Sequence, residues 1–214
     1  MKRSYDRLAG IYQYLENLAF GRQLQSCRLA FIDDLKDCQN ILILGEGDGR
    51  MMLELLKRYP QLRITSLDNS QAMLRCSQKR LNKHQLLSDR LEFIHADALR
   101  YHLPVERFDG LISLFFLDNF TESQLEKLIP RLSASLKQGG KFYQGDFCLP
   151  QGFWASFHAK AWLWVMYLFF NLLTDISSRK LAEPQAYFLA AGLKCLKRQE
   201  RFLGMLYTEL WLKP

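Results

Sequence analysis

The sequence predicts an α/β fold, a doubly wound and mostly parallel sheet that ends in an antiparallel terminal hairpin. Three observations predict it. From Asn40 onward short apolar runs alternate with helical stretches, a glycine-rich turn leaves the first of those runs, and the last two strand-like runs stand too close together for a crossover between them.

Two helices precede the alternation. Over residues 4 to 20, Tyr5, Leu8, Ile11, Tyr12, Leu15, Leu18 and Ala19 recur at helical spacing, with Ser4 as an N-cap and Gly21 as a stop; residues 22 to 36 repeat the pattern with Leu24, Cys27, Ala30 and Phe31. The first strand is "ILIL", followed by the helix "RMMLELLKRY", the strand "RITSL" and the helix "SQAMLRCSQKRLN", capped by Ser70. Next come the strands "RLEFIHA" and "RFDGLISLFF", the helix "TESQLEKLIPRLSASL" and, after Gly139-Gly140, the strand "GGKFYQGDF". Thr121 and Gln124 have the spacing of a capping box, and Pro130 is expected to kink or shorten that helix. The last third is aromatic and helical over 151 to 180. A helix "EPQAYFLAAGL" follows, and then two strands about Gly204. Strands joined by helices demand a parallel sheet covered on both faces.

Composition narrows the class. A chain of 214 residues, 49% hydrophobic and 24% charged, carries enough apolar material for one sizeable core and reads as a single domain. Its 29 Lys and Arg against 22 Asp and Glu give a net charge of +7, but the charge is spread along the chain and reads as a basic solvated surface. The five cysteines form no C-x-x-C pair and leave an odd thiol, which argues for a reducing, intracellular compartment. No apolar stretch follows the basic "MKR", so no secretory signal is expected. The uncharged run from Ala161 to Thr174 is shorter than the roughly 20 residues a membrane span takes, and reads as a buried or interfacial helix.

In an open parallel sheet, ligands bind beyond the C-terminal strand ends, where strand order reverses. Gly45 and Gly47 let backbone approach a ligand there, and Gly49 lets the helix pack close. Asp68 ends "ITSLD", where a carboxylate can accept from a ribose diol; Asp97 follows the third strand, where one can meet the exocyclic amine of adenine. Singly, each aspartate serves as well to cap a helix or a turn. Together, each just past a strand end, they read as a nucleoside site. A dinucleotide turn, G-x-G-x-x-G, needs glycine where Arg50 stands, and the carboxylates of Glu46 and Asp48 would repel a pyrophosphate. No phosphate-binding G-x-x-x-x-G-K-[ST] loop occurs, and the four histidines have no metal-ligand spacing, so no metal is expected.

This constellation resembles the class I S-adenosyl-L-methionine-dependent methyltransferases, in particular those acting on quinones and other small molecules. "ILILGEGDG" is similar to the family's first motif, "ITSLDNSQAML" to its ribose segment, "FIHADALRYHLPVERFDGLIS" to its adenine segment and fourth strand, and "LKQGGKFYQGDF" to its Gly-Gly turn and fifth strand. The opening "YDRLAGIYQYL" resembles a lid helix. The resemblance implies a Rossmann-like sheet of seven strands and four parts to the chain: lid helices over 1–36, a cofactor-binding core over 40–147, a helical acceptor-side cap over 151–191 and the hairpin over 193–214. It implies S-adenosyl-L-methionine as cofactor, held by Tyr5, Tyr12, Gly45, Glu46, Gly47, Gly49, Asp68, Asn69, Met73, Asp97, Ala98 and Leu114. Ile43 stands where the first motif commonly has aspartate, and Glu46 is the conjectured substitute facing the cofactor's positive charge.

The reaction expected is methyl transfer to a small, hydrophobic or aromatic acceptor. A general base is needed only for a hydroxyl or acidic carbon, and Asp118, Asp146 and His158, with Tyr143, are the candidates. The aromatic stretch from Phe153 to Phe170 reads as core or as an acceptor pocket, with peripheral contact at the inner face of a membrane left open; the expected location is the cytoplasm. Nucleic acid is not the expected partner, because Lys and Arg do not cluster with the aromatics and no "NPPY"-type signature follows the fourth strand. Two alternatives are a turnover-deficient binding or regulatory subunit on the same fold, and a membrane-surface or RNA-binding module. Oligomeric state is left open.

Overall fold

The computed structural model describes residues 23–148, 184–202 and 204–214. A short helix α1, Gln23–Leu29, and a 3-10 turn, Ile32–Leu35, lead into β1, Asn40–Leu44. There follow α2 (Arg50–Arg58), β2 (Arg63–Asp68), α3 (Gln71–Lys83), β3 (Leu91–His95) and β4 (Phe108–Leu114). A 3-10 turn, Leu117–Asn119, precedes α4 (Glu122–Ser135) and β5 (Leu136–Phe147); α5 (Gln185–Ala190), β6 (Lys194–Arg201) and β7 (Leu206–Leu212) close the chain.

The strands form one sheet in the order β3-β2-β1-β4-β5-β7-β6, with β7 antiparallel to both its neighbours and every other pair parallel. The order reverses between β1 and β4, and their ends lie level, Leu44 against Ser113 on one side and Leu67 on the other. Ile41, Ile43, Ile112 and Tyr143 face α2 and α3 in one core layer; Leu42, Leu44, Leu111 and Phe142 face α4 and α5 in the other. Two apolar layers on one sheet explain why the parallel strands read as nearly continuous apolar runs.

The expected order of elements from β1 to β7 is present, with local differences. The stretch 22–36 is not one helix but α1 and a 3-10 turn. Pro130 does not shorten α4, which runs through it; the carbonyl left without a donor belongs to exposed Glu126, where water can satisfy it. The capping box of Thr121 and Gln124 is formed. β4 stops at Leu114, because Phe115 turns into the left-handed region at φ 58°, while β5 begins at Leu136, before the two glycines. The first predicted helix, the aromatic stretch from Phe153 to Phe170 and the run Ala161 to Thr174 lie outside the described residues. Among the described residues no helix is long and apolar enough to cross a membrane, and none of the five cysteines is in a disulfide.

Candidate active site

The turn after β1 carries the site. Gly45, Gly47 and Gly49 adopt φ of 60°, 70° and 84°, a region that costs an L-residue roughly 1–2 kcal/mol. They differ in what surrounds them. A Cβ on Gly49 would stand 2.8 Å from the Cα of Ser77, so this glycine lets α2 and α3 pack. A Cβ on Gly45 would meet the ring of Phe116 at 2.2 Å, whereas one on Gly47 would meet nothing within 4 Å. Gly47 faces open space, as a backbone that receives a ligand must. Its N–H donates to Asp68 Oδ2 at 3.4 Å, and the other oxygen of Asp68 accepts from Ser70 N–H at 2.8 Å. The Asp68 carboxylate is thereby fixed at the rim of the glycine turn.

The depression above this turn is open to solvent and is lined by Ile43, Glu46, Gly47, Leu114 and Phe115 with Arg28 from α1. Arg28 is buried and its guanidinium stacks 5.3 Å from the centre of the Phe115 ring. Glu46 Oε1 accepts from the N–H groups of Met51 and Met52, at 2.9 and 3.2 Å, and so caps α2. Burial pushes its carboxyl up to about 8, with nearby Asp48 adding to the rise and the two N–H groups and Arg28 opposing it. Ile43 is 2% exposed and belongs to the core.

Asp48 corrects the argument against pyrophosphate. Although Asp48 lines the depression, its carboxylate is engaged: Oδ1 accepts from Arg50 Nε at 2.9 Å and Oδ2 from Arg80 at 2.7 Å, so its charge is matched by two arginines. What discourages a phosphate is Glu46, whose carboxylate already occupies the first free N–H groups of α2.

The other expected cofactor contacts divide. Asp97 follows β3 and closes a turn, accepting from Leu99 N–H at 3.0 Å, with Arg100 Nε 3.9 Å from its other oxygen. Ala98 is buried, and Arg131 of α4 donates to the carbonyls of Ala98, Leu99 and Tyr101, pinning that loop. Asn69 is exposed beside Asp68, and its carbonyl lies 3.1 Å from His95 Nε2. Met73 is 3% exposed and its N–H is spent on the Ser70 cap, so its side chain belongs to the interior. Tyr5, Tyr12 and His158 lie outside the described residues.

Among the expected bases, Asp118 and Asp146 are brought together. Asp146, at the end of β5, is 3% exposed and accepts from Asp118 N–H at 3.0 Å through Oδ2 and from Phe147 N–H at 3.2 Å through Oδ1. It thus holds the turn on which half-buried Asp118 sits. Burial raises both carboxyls above the usual range, and the neighbouring Asp118 raises Asp146 further. Tyr143 is not a base. It is fully buried on the opposite face, where its hydroxyl accepts from Phe31 N–H and donates to the Cys27 carbonyl, tying α1 to the sheet. Sequence reasoning missed Arg28 and the Asp48 clamp; only the "GEGDGR" run, with Arg50 two residues past Asp48, hinted at the second. Among the described residues no cluster of three His, Cys, Asp or Glu side chains is placed to hold a metal ion.

A seven-stranded sheet with this order and a glycine crevice at its reversal point defines a Rossmann-like methyltransferase fold. Residues 41–140 match the family described as a methyltransferase domain. The chain is 30% identical over 112 residues to the carboxy-S-adenosyl-L-methionine synthase of Nautilia profundicola, a match covering 52% of this chain and 46% of that protein. Over 206 residues it is 24% identical to the ubiquinone/menaquinone biosynthesis C-methyltransferase of Cereibacter sphaeroides, covering 94% of the chain and 78% of the relative. The chain therefore spans less than half the length of the synthase and over three quarters of the quinone enzyme. Its fold is shared with the N-methyltransferase NodS of Bradyrhizobium japonicum, crystallised with S-adenosyl-L-homocysteine, at a TM-score of 0.67 and 16% identity, over 91% of this chain and 88% of that one. These likenesses support the class I S-adenosylmethionine-dependent methyltransferase superfamily, with the matched methyltransferase domain over residues 41–140.

Proposed function

We propose that the protein transfers a methyl group from S-adenosylmethionine to a small acceptor with a hydrophobic or aromatic body. The observation that carries this reading is the pairing of open Gly47 with the fixed carboxylate of Asp68 at the sheet's reversal point. Gly47 gives the ligand close access to backbone, and Asp68 accepts from the ribose hydroxyls. Ala98 and the turn of Asp97 lie beside it as the adenine wall. Arg28 lines the end of the crevice beside Glu46, where it meets the carboxylate of the methionine half while Glu46 meets its positive charge.

The cofactor supplies a methyl on a sulfonium, already a good leaving group. The chain's own contribution is alignment and exclusion of water. Four phenylalanines at the ends of β4 and β5 serve this: Phe115 against Phe147, with ring centres 5.3 Å apart, and Phe116 edge-on to Phe120 at 5.1 Å. They support an apolar acceptor body. Asp118, held by Asp146, is the group placed to take a proton.

Calorimetric titration with S-adenosylhomocysteine and with NADH tests the reading. The first binds and the second does not; NADH binding alone overturns it.

A further inference from the structure

A row of hydrogen-bond acceptors lies buried beside Asp118 and Asp146, on the sheet face that α4 and α5 cover. Gln144 stands two residues before Asp146 on β5 and therefore shares its face; Ser113 of β4 pairs with Gln144, and Tyr207 of β7 pairs with Asp146. Gln144 and Ser113 are both 0% exposed. Gln144 Nε2 donates to the Tyr207 hydroxyl at 2.9 Å, which leaves Gln144 Oε1 without a partner, and Ser113 Oγ also has none. Buried polar atoms in a native fold are nearly always satisfied, so two neighbouring exceptions next to a carboxylate pair ask for a missing donor.

We propose that this cluster receives the reacting end of the acceptor, and that this end is an amine that enters as its ammonium ion. The inference rests on the methyltransferase reading above. Once ionised, the two carboxylates only accept, as does the Gln144 amide oxygen, and an ammonium group, with three donors and no acceptor, is the complementary ligand. A carboxylate or phosphate acceptor would place like charge against Asp118 and Asp146. The burial that opposes ionisation of both acids is offset by a cation between them, not by a neutral alcohol. The ammonium gives one proton to the Asp118 carboxylate; the freed nitrogen lone pair then forms the N–C bond to the methyl as the S–C bond breaks. That bonding pair leaves on sulfur as a neutral thioether, and the product is a methylated ammonium.

Binding to protein saturated with S-adenosylhomocysteine tests this without turnover, using 2-phenylethylamine against 2-phenylethanol and 3-phenylpropanoate at the same pH. The amine should bind at least tenfold more tightly than either, and Asp118→Asn should erase the difference while leaving affinity for S-adenosylhomocysteine within twofold. Equal or better binding of the alcohol or the carboxylate overturns the proposal, as does an amine that fails to bind. Ser113→Ala provides an arm that does not threaten folding. If its hydroxyl is merely a core defect, the variant gains stability and keeps amine affinity, against the proposal; if it meets the ammonium, amine affinity falls severalfold. Failure to bind S-adenosylhomocysteine at all would instead refute the methyltransferase reading.

Discussion

At the scale of single residues, the three glycines of one turn do different jobs, and substitution separates them. Gly47→Ala pays only for its positive φ, about 1–2 kcal/mol of stability, yet its methyl projects into the crevice, so affinity for S-adenosylhomocysteine should fall at least tenfold in a folded protein. Gly49→Ala carries the same strain and also drives a methyl against the Ser77 backbone. Its loss in urea unfolding should exceed that of Gly47→Ala by a clear margin; equal losses would contradict the packing role. Glu46 makes a pH-dependent contribution. Its folded-state value of about 8 lies above its ordinary one, so the fold favours the protonated form. That stability is full below the ordinary carboxylate range and is lost as pH rises through about 8. Glu46→Gln keeps an oxygen to cap α2, and its urea midpoint should fall less than wild type's between pH 5 and 9. Parallel curves would show that Glu46 does not titrate in that window.

Elements are held at the site by contacts distant in sequence. Arg80 of α3 reaches the Asp48 carbonyl at 2.7 Å as well as its carboxylate, so the glycine turn is bolted to the next helix but one strand away. Breaking a buried pair from one side costs about 3–5 kcal/mol, mostly from the charge left behind. With Arg80 partly exposed, Asp48→Ala should lose toward the lower end, about 3 kcal/mol in chemical denaturation. A change under about 1 kcal/mol would mean that solvent already carries this pair. Arg131 pins the loop after β3 in the same way, through three carbonyls. The parts played by Arg80 and Arg131 were not legible in the sequence, because an arginine on a helix gives no sign of which loop it will meet. Tyr143 was misread for a related reason. Strand alternation assigns a side chain to a face, but the Cys27 carbonyl that meets its hydroxyl belongs to an element over a hundred residues earlier.

For the molecule as a whole, what was legible follows from periodicity. Apolar runs from "ILIL" to "LYTELWL", separated by helical spacing, dictated β1 to β7, and the short gap about Gly204 forced β6 and β7 to pair antiparallel. Turn chemistry was equally plain: Ser70 caps α3 and Thr121 with Gln124 caps α4, as their spacing demanded. Local residue types also placed Gly47 and Asp68 together, since both stand at C-terminal strand ends of adjacent parallel strands. The central claim is that this pair binds the nucleoside of S-adenosylmethionine. Its most direct test is calorimetric titration of the wild type and Asp68→Ala with S-adenosylhomocysteine. The account predicts micromolar binding that weakens at least about tenfold in the variant, the weight of a charge-assisted hydrogen bond. Equal affinity in both, or no binding by the folded wild type, would contradict it.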